Sequence, residues 1–188
     1  MTGSGTHDHY DVVILGGGLA GGCLARQLRQ EAPELRVLVA EKRPHPVPEA
    51  AFKVGESSVE IGAHYFSTRL GLEPHLRSQQ LEKLGLRYFF THGDNRDLTE
   101  RVELGPSLFP PVPSFQLDRG RLENFLLQAD AEAGATVLDG YRVVSIALDR
   151  ATVHRVSLSG PGGRVDVTAR WVVDASGRAG LLNLGYSA

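Results

Sequence analysis

Three glycines and an acid offer the clearest chemistry in this chain. Gly16, Gly18 and Gly21 follow the apolar residues Val12, Val13, Ile14 and Leu15 with the spacing Gly-x-Gly-x-x-Gly. That spacing suits the phosphates of a dinucleotide. The first glycine lets the chain turn sharply out of a strand. The second lets backbone approach a pyrophosphate, and the third lets the next helix pack close to the strand. The helix start adds unpaired N–H groups and the positive end of a dipole. Glu41 stands twenty residues past Gly21, where a ribose hydroxyl acceptor belongs. Its charge favours a free 2′-hydroxyl and repels a 2′-phosphate, which selects FAD or NAD over NADP.

These residues need a strand, a helix and a second strand to hold them. Residues 10–41 read as that β-α-β unit. Val12–Leu15 is a buried parallel-strand run, Leu19, Cys23, Leu24 and Leu28 form one helical stripe, and Arg36–Ala40 delivers Glu41. Three prolines make 42–56 a loop. Ser57 or Ser58 is placed to cap a helix that runs to about Leu70, with Glu60 in its first turn, and Gly71 stops it. Residues 82–91 read as one aromatic strand, and the four prolines in 104–114 read as an extended connection. A helix follows at Arg119–Ala133, with Leu122, Phe125, Leu126 and Ala129 on one face. Tyr141–Leu148, Thr152–Leu158 and Arg164–Val173 are closely spaced strands, which suits an antiparallel meander. The last of them carries Asp174 into a Ser-Gly turn.

Composition sets outer bounds. The chain has 188 residues, 41% hydrophobic and 22% charged, with a net charge of −2. This is a globular composition with no general attraction to nucleic acid or anionic membrane. No apolar run approaches the ~20 residues that span a bilayer. Residues 1–9 lack a signal-peptide pattern and read as a disordered lead-in, with His7 and His9 in it. The single cysteine, Cys23, excludes an internal disulfide, suits a cytoplasmic location and reads as a small packing residue.

GGGLAG at 16–21, Glu41, VGES at 54–57, LDRGRLENFL at 117–126 and DASGRAGLL at 174–182 stand in one order. In this the chain resembles the FAD-dependent monooxygenase and halogenase superfamily, and most of all its tryptophan-halogenase-like branch. The resemblance implies an α/β fold: a Rossmann-like FAD-binding domain with a parallel sheet, an antiparallel β-meander and the beginning of a substrate domain. It divides the chain into 10–75 (β-α-β unit and flavin loop), 76–117 (partial substrate-domain insertion) and 118–188 (helix, meander and final turn). Gly16, Gly18, Ala20 and Gly21 would hold the pyrophosphate of FAD, and Glu41 its adenosine ribose. Gly55, Glu56 and Ser57 would lie near the flavin ring. Arg119 would contact the phosphates or ribitol, Val144 would set backbone groups by the adenine, and Asp174 would help close the site or cap its own turn.

The chain has 17 arginines but only three lysines, Lys42, Lys53 and Lys83. Lys83 precedes an aromatic-rich run about thirty residues after the VGES loop. It resembles the halogenase lysine that takes hypohalous acid made at the flavin and passes the halogen to substrate. An amine can carry the halogen as a haloamine or polarise the acid by a hydrogen bond; arginine is too basic and delocalised for the first. Such an enzyme would use reduced FAD, O2 and halide on a small-molecule substrate, with a separate flavin reductase as partner, and no metal. Tyr88, Phe89, Phe90, Phe109 and Phe115 are candidate pocket walls. The family's Trp-x-Trp-x-Ile-Pro segment and its later Gly-Asp motif do not occur, so the chain reads as an amino-terminal part. A monooxygenase or reductase on the same scaffold, or a non-catalytic FAD-binding fragment, are the alternatives.

Overall fold

The computed structural model describes residues 8–94, 96–149 and 151–183. In chain order they form β1 (Asp8–Leu15), α1 (Leu19–Glu31), β2 (Val37–Glu41), α2 (Glu60–His64), α3 (Glu73–Gln79), β3 (Leu81–Lys83), β4 (Tyr88–Phe90), β5 (Val102–Leu104), β6 (Ser114–Gln116), α4 (Arg119–Glu132), β7 (Thr136–Asp139), β8 (Arg142–Ala147), β9 (His154–Gly160) and β10 (Gly163–Asp174). They fall into two units. One is formed by the stretches up to Ala51 and from Arg119 onward, the other by Phe52–Asp118.

The first unit is a six-stranded sheet in the order β7-β2-β1-β10-β9-β8. β7, β2, β1 and β10 run parallel, while β9 and β8 return antiparallel as the meander. Alternation along β1 explains its layers. Val12 and Ile14 pack with Val37, Val39, Ala25 and Leu127 on one face. Val13 and Leu15 pack with Leu38, Ala40, Ile146, Val156 and Leu158 on the other. Burial on both faces is why the run is continuously apolar rather than alternating. The α/β fold and the meander are therefore as expected. β7 was not foreseen; it extends the parallel sheet beside β2.

Two details of this unit differ from expectation. The first strand begins at Asp8, not after the lead-in: Asp8 and His9 pair with Val167 and Thr168 because the twelve-residue β10 offers ladder that far. His7 lies outside the described residues. On α4, Phe125 is exposed, and the buried stripe contains Glu123 and Asp130 besides Leu122, Leu126 and Leu127.

The second unit is built from short pieces and takes in 52–75 as well as 76–117. β3 pairs with β6 and β4 with β5, each a two-stranded antiparallel sheet. The single strand expected over 82–91 is thus two, interrupted where Gly85 takes φ +119°. Ser57 and Ser58 do not cap α2, which starts from Val59 with no side-chain cap. Ser58 is held by β6 instead: its N–H and hydroxyl both donate to the Phe115 carbonyl, and its Oγ accepts from the Phe115 N–H. The helix changes to π geometry at Tyr65–Arg69 and ends at Gly71, φ +62°. Phe115 is core, 1% exposed, and so is no pocket wall, whereas Tyr88, Phe89, Phe90 and Phe109 all lie exposed.

Candidate functional site

The glycine turn joins β1 to α1. Gly16 takes φ +117°, and a Cβ there would sit 2.5 Å from the Ala175 carbonyl oxygen. A Cβ on Gly21 would sit 1.9 Å from the Gly16 carbonyl oxygen. Both positions admit only hydrogen because the chain itself comes that close. Gly18 is different. Its backbone is extended, and a Cβ there would meet nothing nearer than Glu123 Oε1 at 3.8 Å. The fold does not need a glycine at 18, and the space above it stays open.

Gly18 is also the N-cap of α1, and no side chain among the described residues caps it. The first helical bond runs from the Gly22 N–H to the Gly18 carbonyl. The N–H groups of Leu19, Ala20 and Gly21 therefore precede the helical ladder and face outward from a positive helix end. An open cleft of about 440 Å³ lies here, lined by Ala20, Asp174, Ala175, Gly177, Gly180 and Leu182.

Glu41 reaches back to the turn. Its Oε2 accepts from the Gly17 N–H at 2.8 Å, and its Oε1 accepts from the Arg43 N–H at 2.9 Å and from Arg43 Nε at 3.2 Å. Burial raises its pKa, but the hydrogen bonds from Arg43 and Gly17 outweigh it and hold the carboxyl below its ordinary value. A carboxylate has about four acceptor positions, so three bonds leave room for a ribose hydroxyl. Arg43 then bridges to Glu123 Oε2 at 3.4 Å, and Glu123 Oε1 takes Arg119 at 2.6 Å. Glu41, Arg43, Glu123 and Arg119 thus form one chain of charges beside Gly18. Arg43 and Glu123 were not foreseen. The i,i+4 spacing of Arg119 and Glu123 was the signal available. Glu123 also compensates a cation in the first turn of α4, which the helix dipole alone would disfavour.

Asp174 caps its own turn. Oδ1 accepts from the Ser176 N–H and hydroxyl, and Oδ2 accepts from the Leu182 N–H. Burial raises its pKa, and these bonds, from Ser176 and then Leu182, more than offset it, so the net shift is downward. Val144 is the extra residue in a β-bulge where β8 slips against β9 between Val143 and Ser145. A bulge takes a residue out of the regular ladder. Cys23 is 5% exposed, and burial first, then Asp130, pushes its thiol up to about 12, as suits a packing residue.

The second unit holds the remaining candidates. Gly55 takes φ +87°, and Glu56 closes the turn by accepting the Lys53 N–H at 3.0 Å. The Glu56 carbonyl accepts the Leu117 N–H, and Ser57 bridges to Gln116, so the VGES loop is laid along β6. β3 flanks β6 on its other side with Lys83 opposite Ser114. Lys83 Nζ donates to Ser57 Oγ at 2.8 Å and to the Ser58 carbonyl at 2.6 Å. The lysine and the VGES loop, 26 residues apart, are therefore in direct contact.

The profile of the family described as FAD binding domain matches residues 9–183. This chain belongs to that family. FAD is the cofactor of this FAD binding domain, and the open space over Gly18, the outward N–H groups of α1 and the spare acceptor capacity of Glu41 fit its pyrophosphate and ribose. The domain is 31% identical over 194 residues to the flavin-dependent halogenase chlA of Dictyostelium discoideum, covering 91% of this chain and 32% of that protein. It is 28% identical over 168 residues to a digeranylgeranylglycerophospholipid reductase of Methanosphaerula palustris, covering 89% of this chain and 38% of the reductase. In fold it superimposes on the flavin-dependent brominase Bmp2, studied as a triple mutant, with a TM-score of 0.74 at 24% identity, over 93% of this chain and 41% of that one. The chain spans about a third of the length of these curated relatives. Among the described residues no helix is long and apolar enough to cross a membrane.

Proposed function

We propose that this chain is the FAD-binding part of a flavin-dependent halogenase acting on a small organic substrate. The observation that carries the reading is the contact of Lys83 Nζ with Ser57 and Ser58. The one lysine suited to halogen transfer by its sequence context touches the loop that the family resemblance assigns to the flavin ring. The likeness to the Dictyostelium halogenase supports it.

In this reading Gly16, Gly18, Ala20 and Gly21 hold the FAD pyrophosphate through backbone N–H groups. Glu41 accepts the ribose hydroxyl, Arg119 serves the phosphates or ribitol, Val144 presents backbone to the adenine, and Asp174 braces the turn lining the cleft. Gly55, Glu56 and Ser57 form the flavin loop. Reduced FAD, when bound, supplies two of the four electrons by which O2 becomes water and hypohalous acid, the halide supplying the other two. A separate flavin reductase provides the reduced cofactor. The neutral amine of Lys83 then takes the halogen: an N–halogen bond forms, the O–halogen bond breaks, and water leaves with one amine proton. Transfer to an electron-rich carbon returns the amine.

The test is incubation of the complete protein with reduced FAD, O2 and bromide. Brominated product is expected, and Lys83→Ala should lower it by about a hundredfold or more while FAD binding persists. Unchanged bromination in that variant removes the lysine from the mechanism. The likeness to the Methanosphaerula palustris reductase favours a second reading, double-bond reduction. Reduced product without brominated product would establish that one instead.

A further inference from the structure

We infer that Ser57 is a positioning residue for Lys83: its hydroxyl, together with the Ser58 carbonyl, fixes the direction in which the lysine nitrogen presents its remaining valence. This rests on the halogen-transfer reading of Lys83.

Two of the tetrahedral directions around Nζ are occupied by the Ser57 Oγ at 2.8 Å and the Ser58 carbonyl at 2.6 Å. The third bond joins Nζ to its own side chain's Cε. Only one N–H is then left over in the ammonium, or one remaining position in the neutral amine, where two donated N–H bonds leave the lone pair pointing away from the loop. A freely rotating lysine has no such preference, and ordering a flexible four-carbon side chain loses rotamer entropy. Here the two acceptors are themselves held. Ser58 is 8% exposed and locked to Phe115 through its N–H and hydroxyl, and Ser57 is bridged to Gln116. β3 is paired to the same strand at Lys83–Ser114. The nitrogen and both acceptors therefore hang from one strand, β6.

The Ser58 acceptor is backbone and survives any substitution. The Ser57 acceptor is a side chain and does not. Removing it leaves one anchor, and the nitrogen gains rotational freedom about it.

The experiment uses the complete enzyme with reduced FAD, O2 and bromide, with two readouts for each O2 consumed: brominated substrate, and free oxidant caught by a scavenger in solution. A lost hydrogen bond to a charged or reacting amine corresponds to a fall of about tenfold to a hundredfold. Ser57→Ala should lower brominated product by that factor per O2 while the trapped oxidant rises, because oxidant made is no longer captured. Ser57→Thr keeps the hydroxyl and should stay within about threefold of wild type. If product and trapped oxidant fall together in Ser57→Ala, Ser57 serves the flavin and not the lysine, and the inference is overturned. It is equally overturned if Ser57→Ala matches wild type while Lys83→Ala loses product. If Lys83→Ala itself matches wild type, or wild-type protein makes no brominated product, the halogen-transfer reading fails and this inference falls with it.

Discussion

The glycine turn at 16–21 and the lysine corner at Ser57, Ser58 and Lys83 are built on opposite terms. At the turn the backbone decides. Gly16 and Gly21 are forced by carbonyl oxygens 2.5 and 1.9 Å from any Cβ, and β1 beneath them is buried on both faces. At the lysine corner three-residue strands carry the framework, and two hydrogen bonds donated by Lys83 Nζ set the geometry. The difference teaches where precision comes from. On the proposed reading, a phosphate cradle would be made rigid by excluding side chains, and a reactive amine would be placed by adding acceptors around it.

The largest effect should break the first region. In Gly21→Ala the added Cβ collides with the Gly16 carbonyl, and the β1–α1 turn has no room to give because Gly16 already lies against Ala175. A loss of about 5 kcal/mol is expected, with apo-protein that unfolds well below wild type in thermal denaturation. A wild-type melting temperature would show that the turn is looser than drawn.

A smaller effect sharpens the comparison, because one buried side chain of α4 does not follow the backbone rule. Asp130 on α4 is fully buried, and neither of its carboxylate oxygens has a hydrogen-bond partner among the described residues. Burial pushes its pKa up to about 7, opposed only by Arg26, and Cys23 of α1 feels its charge. Its folded value is raised, so the folded state holds the extra proton between about pH 4 and pH 7. Its contribution is complete below the unfolded value of 3.8 and is lost as pH rises to about 7. The fall amounts to roughly 4 kcal/mol across that window. Asp130→Asn should flatten the curve of stability against pH, measured by urea unfolding. An identical slope in the variant would mean that Asp130 is ionised throughout.

The same contrast explains what was legible in the sequence. The turn, Glu41, the continuous apolar run of β1 and the meander follow from backbone sterics and alternation, which glycine spacing and apolar period report directly. The lysine corner was legible only as residue types. That Ser57 and Ser58 lie along β6 instead of capping α2 depends on Phe115, 57 residues past Ser58. Gly85 divides the 82–91 run because each half finds a different partner strand, β6 or β5. Glu123 and Asp130 sit on a helical stripe otherwise apolar, and only packing against Arg119 and Arg43, or the lack of a hydrogen-bond partner among the described residues, tells them apart from surface acids.

The smallest effect on folding gives the most direct test of the central claim, that the turn is kept open for a cofactor's phosphates. Gly18 has extended backbone, and a Cβ there would meet nothing within 3.8 Å. Gly18→Ala should therefore leave apo-protein stability within about 1 kcal/mol of wild type. FAD affinity, followed by quenching of flavin fluorescence on titration, should weaken by at least about tenfold, because the methyl group occupies the approach to the α1 N–H groups. Wild-type affinity for FAD in this variant would contradict the account.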